Sequence, residues 1–159
     1  MIEPIERRWH NHWVHFFAFG FGSGAAPKAP GTFGTLAAIP LYLLLAQLPL
    51  YGYLAALVAT FAFGVYVCDR AAQDMQVHDH GGIVWDEFVG FWITMAFLPV
   101  HWVWIVSGFV LFRLFDILKP FPISWLDKRV KGGFGIMIDD VLAGLFALAI
   151  LQAIRYSWF

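Results

Sequence analysis

The chain sets two pairs of adjacent carboxylates just ahead of apolar runs: Asp86-Glu87 in VWDEFVG (residues 84–90) and Asp139-Asp140 in MIDDVLAG (residues 137–144). Behind the second pair, VLAGLFALAILQAI continues for fourteen residues without a charge. Adjacent helical residues diverge by about 100° in azimuth, so one acid of each pair can face a bundle interior while the other faces a loop or water. The helix macrodipole favours an acid in a first turn, but it does not readily explain two such pairs. Carboxylates that converge repel one another, and burying them unpaired is prohibitive. A hard cation removes the difficulty. An all-oxygen ligand set suits Mg²⁺, which binds through one or two carboxylates, waters and a substrate phosphate. Asp86, Glu87, Asp139 and Asp140 are therefore the candidate metal ligands, with simple helix capping as the competing reading.

A second constellation lies in FRLFDILKPFPISWLDKR (residues 112–129), where Arg113, Asp116 and Lys119 recur at i, i+3 and i+6 before Pro120 ends the predicted helix. The row could be an internally neutralised helix end with snorkelling cations. It could equally hold phosphate oxygens, with Arg113 as a planar fork and Lys119 as a point charge. Asp116 would then be a further metal ligand, a base or a nucleophile. A third stretch, PKAPGTFGTLAA (residues 27–38), places Gly31, Thr32, Gly34 and Thr35 where an apolar helix begins, with Lys28 just ahead of them. Such a turn offers N–H groups and hydroxyls to an anion, although the P-loop spacing is absent and a plain capped turn fits as well. Asp69, Asp74, His78, Asp79 and His80 lack the spacing of helical zinc enzymes and read as a polar loop shaping an entrance. Cys68 is the only cysteine, which excludes an intrachain disulfide and a Cys-rich metal site. Its surroundings, CDRAAQ, lack the phosphate-loop arrangement that would activate a thiolate.

The elements that carry these groups are written for a bilayer. Hydrophobic residues make up 60% of the chain and charged ones 13%, with a mean hydropathy of +0.70; a soluble coat cannot be built from so few charges. Residues 1–159 read as one membrane-embedded domain. The net charge of −1 and the scattered Lys and Arg exclude a basic stripe for nucleic acid. Apolar segments at 33–50, 51–68, 88–99, 101–115 and 141–154 are each short of the roughly 20 residues a span usually needs. Arg7 and Arg8 precede WVHFFAFGFG, but that run contains His15 and leads into APKAPG. Residues 1–18 therefore read as a cytoplasmic, interfacial or re-entrant segment with Trp9 and Trp13 near the headgroups, in place of a cleaved signal. Lys and Arg gather in residues 1–33, 69–87 and 113–131, which the positive-inside rule places in the cytoplasm, with Arg155 as the exception. The predicted fold is an all-α polytopic integral membrane helix bundle of about five short transmembrane helices, with every acidic constellation on one face. Gly144 and Gly90, each four residues beyond an acid, are predicted to bring two helices close together. Gly132, Gly133 and Gly135 are predicted to form a turn before the last helix starts.

PGTFGTLAAIPLY, IVWDEFVG, FRLFDILKPFPI and GGFGIMIDDVLAG, in that order, closely resemble the phosphatidylglycerophosphatase A family of bacterial inner-membrane lipid phosphatases, from about Phe19 to Gly144. The resemblance implies hydrolysis of phosphatidylglycerophosphate to phosphatidylglycerol and phosphate, a Mg²⁺ requirement, a phospholipid substrate and residence in the inner membrane. In that setting Asp86, Asp139 and Asp116 are candidate catalytic residues. Lys119, Arg113, Lys28, Thr32 and Thr35 are candidates for phosphate binding. An activated water is the preferred nucleophile, with an aspartyl-phosphate on Asp116 left open. The reading from another class is a small cation or proton-coupled transporter. A carrier needs charge near mid-membrane or on both faces, whereas these acids cluster at one end.

Overall fold

Proline and glycine punctuate the apolar runs, and the helices form between them. The computed structural model describes residues 13–76 and 81–158, so Arg7, Arg8, Trp9, His78, Asp79 and His80 lie outside the described residues. Seven helices follow in chain order: α1 (Trp13–Ala18), α2 (Pro30–Leu45), α3 (Leu50–Met75), α4 (Trp85–Thr94), α5 (Trp102–Leu118), α6 (Ile123–Arg129) and α7 (Gly132–Trp158), with a 3₁₀ turn at Ser23–Ala25. No strand occurs among the described residues. Pro30 opens α2 at its first turn, where a missing N–H costs nothing.

All five apolar segments are helical, but α3 and α7 alone among the described helices are long and apolar enough to cross a bilayer, with 26-residue apolar stretches. Only 22% of the most apolar window of α3 is buried within the protein, whereas the core helix of a soluble protein hides most of its apolar surface. Helices α2 and α5 have 16 and 17 residues, and α4 has 10, about 15 Å of rise. The segment at 88–99, expected as a span, is thus a half-length helix. Nine of its ten residues are buried, and α2, α3, α5 and α7 pack around it.

Three side-chain hydrogen bonds to two neighbours, α2 and α3, fix α4 in place. The Trp85 indole N–H donates to the Thr60 carbonyl at 3.1 Å, and that of Trp92 donates to Ala38 at 3.0 Å. The Tyr53 hydroxyl donates to the Trp92 carbonyl at 2.5 Å. Against α7 the contact is backbone to backbone. A Cβ added at Gly144 would lie 2.5 Å from the Gly90 carbonyl oxygen, and one at Gly90 would lie 2.8 Å from that of Asp140. The predicted glycine pairing is therefore the seam between these two helices, and Thr94 of α4 spans it by donating to the Gly144 carbonyl of α7 at 3.4 Å.

Of the three glycines predicted to turn ahead of the last helix, Gly132 alone has a positive φ. Helix α7 already begins at Gly132, whose φ is +77°. Gly133 and Gly135 lie within its first turns, because a Cβ at Gly133 would overlap the Val65 carbonyl of α3. The Asp69 carboxylate accepts the Gly133 N–H at 3.0 Å and so caps α7 from the neighbouring helix.

Any side chain at position 144 must push α4 and α7 apart. Gly144→Leu is expected to destabilise the purified protein by about 1–3 kcal/mol, read as a lower thermal unfolding midpoint in detergent. An unchanged midpoint would show that the two backbones do not touch.

Candidate active site

Three helix ends and the second turn of α7 meet at one cavity of about 260 Å³. The first turn of α4 supplies Asp86 and Glu87, and the end of α5 supplies Arg113 and Asp116. Asp139 and Asp140 come from α7, and Pro30 and Gly31 from the start of α2. Lys119, Gly81, Ile83 and Ile136 complete the lining. Five carboxylates and two cations thus share one small space.

Four of the acids are buried: Asp86, Glu87, Asp139 and Asp140 are 7%, 9%, 3% and 2% exposed. Asp86, Glu87 and Asp140 each offer a ligand atom, and these atoms lie within 4.8 Å of one another. Asp140 Oδ2 is buried without a hydrogen-bond partner. Asp139 stands apart from this trio and faces Lys119, whose ammonium lies 3.8 Å from Asp139 Oδ2. The Arg113 guanidinium bridges two helices, bonding Asp116 one turn along α5 and lying 3.5 Å from Glu87 Oε1. Burial by itself pushes the Lys119 ammonium down, but the carboxylates of Asp140, Asp116 and Asp139 outweigh burial and hold it above the usual lysine range.

The capping reading survives for one helix only. Asp86 Oδ1 accepts the Glu87 N–H at 2.9 Å, a first-turn contact of the kind the macrodipole favours. Asp139 and Asp140 lie two turns inside α7, and no acid occupies its first turn. Lys119 also departs from expectation. Helix α5 ends at Leu118, and Lys119 takes a left-handed conformation (φ +49°) as its C-cap, so it reaches the cavity from a turn instead of from the helical face shared by Arg113 and Asp116.

The glycine-rich start of α2 acts mainly through what it lacks. A Cβ at Gly31 would lie 2.9 Å from both terminal nitrogens of Arg113 and from Glu87 Oε1. One at Gly34 would lie 2.7 Å from Val84 Cβ and 3.2 Å from Glu87 Oε2. The hydroxyls are occupied or displaced: buried Thr35 donates to the Gly31 carbonyl at 2.8 Å, Thr32 is half-buried and Lys28 exposed, and none of the three lines the cavity. Gly31 and Gly34 were thus legible as turn residues while their role as clearance was not, although two glycines three residues apart mark one helical face. Of the polar loop, Gly81 lines the cavity. Asp69 caps α7, and Asp74 bonds His15 at 2.9 Å. Cys68 is buried.

An acidic cluster fit for a divalent cation, set beside a guanidinium and an ammonium, is suited to binding a phosphate group. Comparison with known proteins points the same way. The family profile described as Phosphatidylglycerophosphatase A matches residues 16–155. A phosphatidylglycerophosphatase A of Escherichia coli K12 is 51% identical over 149 residues, covering 93% of this chain and 86% of that protein. One of Haemophilus influenzae is 50% identical over 145 residues, covering 90% and 89%. A Bacteroides thetaiotaomicron protein, provisionally named a phosphatidylinositol-3-phosphatase, is 40% identical, covering 86% and 90%. No solved structure matches. With the profile and both phosphatidylglycerophosphatase relatives spanning nearly all of its length, the chain belongs to the phosphatidylglycerophosphatase A family.

Proposed function

We propose that this enzyme removes the terminal phosphate of phosphatidylglycerophosphate, yielding phosphatidylglycerol and inorganic phosphate, in a Mg²⁺-dependent reaction on the cytoplasmic face of the bacterial inner membrane. The observation that carries the reading is the juxtaposition of Asp86, Glu87 and Asp140 within 4.8 Å of one another, with Arg113 and Lys119 lining the same cavity. A transporter would gain nothing from two cations placed beside its acids at one end of the bundle.

The donor set fits Mg²⁺: three oxygen ligands converge, and Asp140 Oδ2 is buried with no other partner. When bound, Mg²⁺ neutralises phosphoryl charge and polarises the phosphorus for in-line attack. Asp86, Glu87 and Asp140 would hold the ion. Asp139, set against Lys119, completes the acidic wall directly or through water. Arg113 and Lys119 grip the phosphate oxygens, and the Arg113 fork, already steadied by Asp116 and Glu87, is aimed before substrate arrives. Asp116 would take the proton from an attacking water as the bond between phosphorus and the glycerol oxygen breaks, and would return that proton to the leaving alkoxide. Attack by Asp116 itself would give an aspartyl-phosphate. What supports the sidedness is the Lys and Arg distribution: residues 1–33, 69–87 and 113–131 carry nine of the ten basic residues, and the positive-inside rule assigns such segments to the cytoplasm.

Phosphate release by the purified protein, with and without Mg²⁺, tests the reaction; phosphatidylinositol 3-phosphate, whose headgroup also carries a monoester, is the comparison substrate. Asp86→Asn and Asp139→Asn are each expected to lower turnover on the order of 100-fold or more, and chelation should mimic both. Full activity in either folded variant would remove that residue from the site.

Gly31→Ala, which alters no ligand, is expected to reduce turnover on the order of 10–100-fold by displacing Arg113. Turnover equal to wild type would show that this clearance is not needed.

Sidedness has its own check. Gly81→Cys is sterically tolerable, since the nearest atom to its Cβ is 3.8 Å away, whereas Tyr51 is 80% exposed at the opposite end of α3 from the site. In a Cys68→Ser background, Gly81→Cys should react with impermeant reagent only from the cytoplasm, and Tyr51→Cys only from outside. Labelling of Gly81→Cys in intact cells would invert the topology.

A further inference from the structure

His15 is a buried imidazole that takes no part in the chemistry above. It lies on α1, is 4% exposed, and its Nε2 is 2.9 Å from Oδ2 of Asp74, near the end of α3 and 59 residues away. Neither residue lines the catalytic cavity. A buried ring nitrogen bonded to a carboxylate is a directional contact, and it costs stability unless the geometry is met.

We infer that the His15–Asp74 pair is a positioning clamp for the catalytic acids: it fixes α1 on α3, and α1 in turn fixes the start of α4. Aromatic contacts line the same interface. Trp13 stacks on Tyr66 at 6.0 Å, and Phe17 meets Phe63 edge-on at 5.2 Å. Such contacts tolerate sliding and rotation, whereas the imidazole–carboxylate bond sets both the height and the roll of α1. One turn beyond His15, the Ala18 carbonyl accepts the N–H of Val84 at 2.8 Å. Val84 is the N-cap of α4 and stands two residues before Asp86. Its side chain is enclosed from both sides, since a Cβ at Gly20 would lie 2.7 Å from Val84 Cγ2, and one at Gly34 would lie 2.7 Å from Val84 Cβ. The path from clamp to acids is therefore short and made of backbone: His15, Ala18, Val84, Asp86. His15 and Asp74 are positioning residues, acting through α4 and touching neither phosphate nor metal.

The test uses the full chain in detergent with His15→Leu, Asp74→Leu, the double variant and His15→Gln, whose amide N–H can still reach Asp74. Hydrogen exchange across residues 82–88 is the first readout. It should accelerate about tenfold in both Leu variants, because the Ala18–Val84 bond opens more often, and return towards wild type in His15→Gln. The second readout rests on the phosphatase reading. The rate constant kcat should fall about tenfold, KM should stay within about twofold, and the double variant should be no worse than either single one, as coupled residues require. Wild-type exchange in folded Asp74→Leu, or additive losses in the double variant, would overturn the clamp. If His15→Leu does not fold, Asp74→Leu, altered at an exposed side chain, and His15→Gln carry the same comparison. Should the wild type release no phosphate from phosphatidylglycerophosphate, the exchange measurement still decides the clamp alone, and the substrate assignment is what fails.

Discussion

Repulsion among buried carboxylates is the constraint to which the rest of this structure answers. Oxygens of Asp86, Glu87 and Asp140 lie within 4.8 Å of one another. At an effective dielectric near 20, each such pair of charges repels by roughly 3 kcal/mol. Three pairs sum to about 10 kcal/mol, comparable to the whole folding stability of a typical domain. No single packing contact offsets that. The cations do so in part: Arg113 against Asp116 and Glu87, and Lys119 against Asp139. Two cations against five carboxylates still leave an acidic excess in the cavity, which is the charge that the proposed divalent cation would balance.

Holding the charges together then falls to the backbone. The acids of α7 are two turns from its start, so their position depends on how α7 packs, and helix-end electrostatics contribute little. The seam at Gly90 and Gly144 allows α4 and α7 to touch along their main chains. The same lack of side chains at Gly31 and Gly34 lets α2 approach Arg113 and Glu87. Glycine weakens a helix by about 1 kcal/mol relative to alanine, and here that cost is incurred wherever two elements must close around charge.

Much of this was legible in the sequence because the governing rules are local or periodic. The acid pairs, the cationic row at 113–119 and the glycine one turn beyond each acid all declare themselves by spacing. What stayed hidden depends on partners far away in the chain. The run at 88–99 reads as a span because burial in protein and burial in lipid demand the same apolar residues, yet α4 is a half-length helix enclosed by others. The start of α7 reads as a turn because glycines usually make one, yet beyond Gly132 the helix has begun, and Gly133 is there to clear the Val65 carbonyl of α3. Thr35 offers a hydroxyl to any anion, but α2 turns it inward to the Gly31 carbonyl. Lys119 follows the i, i+3, i+6 row, but the helix ends before reaching it. His15 looked only like a blemish in a signal-like run, since its partner lies 59 residues on.

A short helix inside a bundle raises a difficulty that longer ones avoid, because both of its polar ends lie near protein and lipid instead of water. At the N-terminus of α4 the difficulty is turned to use. The positive end of the helix dipole there favours Asp86 and Glu87, so the helix end stabilises the acids it presents. At the other end the carbonyls need donors. Tyr53 of α3 supplies one to Trp92. Past the end of the helix, Gln152 and Arg155 of α7 donate to the Phe97 carbonyl at 3.0 and 2.8 Å. Arg155 is the one basic residue outside the three Lys- and Arg-rich segments. Its place is explained once α4 is seen to stop short: a cation belongs beside the negative end of a helix dipole and its following carbonyls. The lone basic residue near the end of α7 and the short reach of α4 thus meet at the Phe97 carbonyl, while the other end of α4 presents two of the acids from the centre of the bundle.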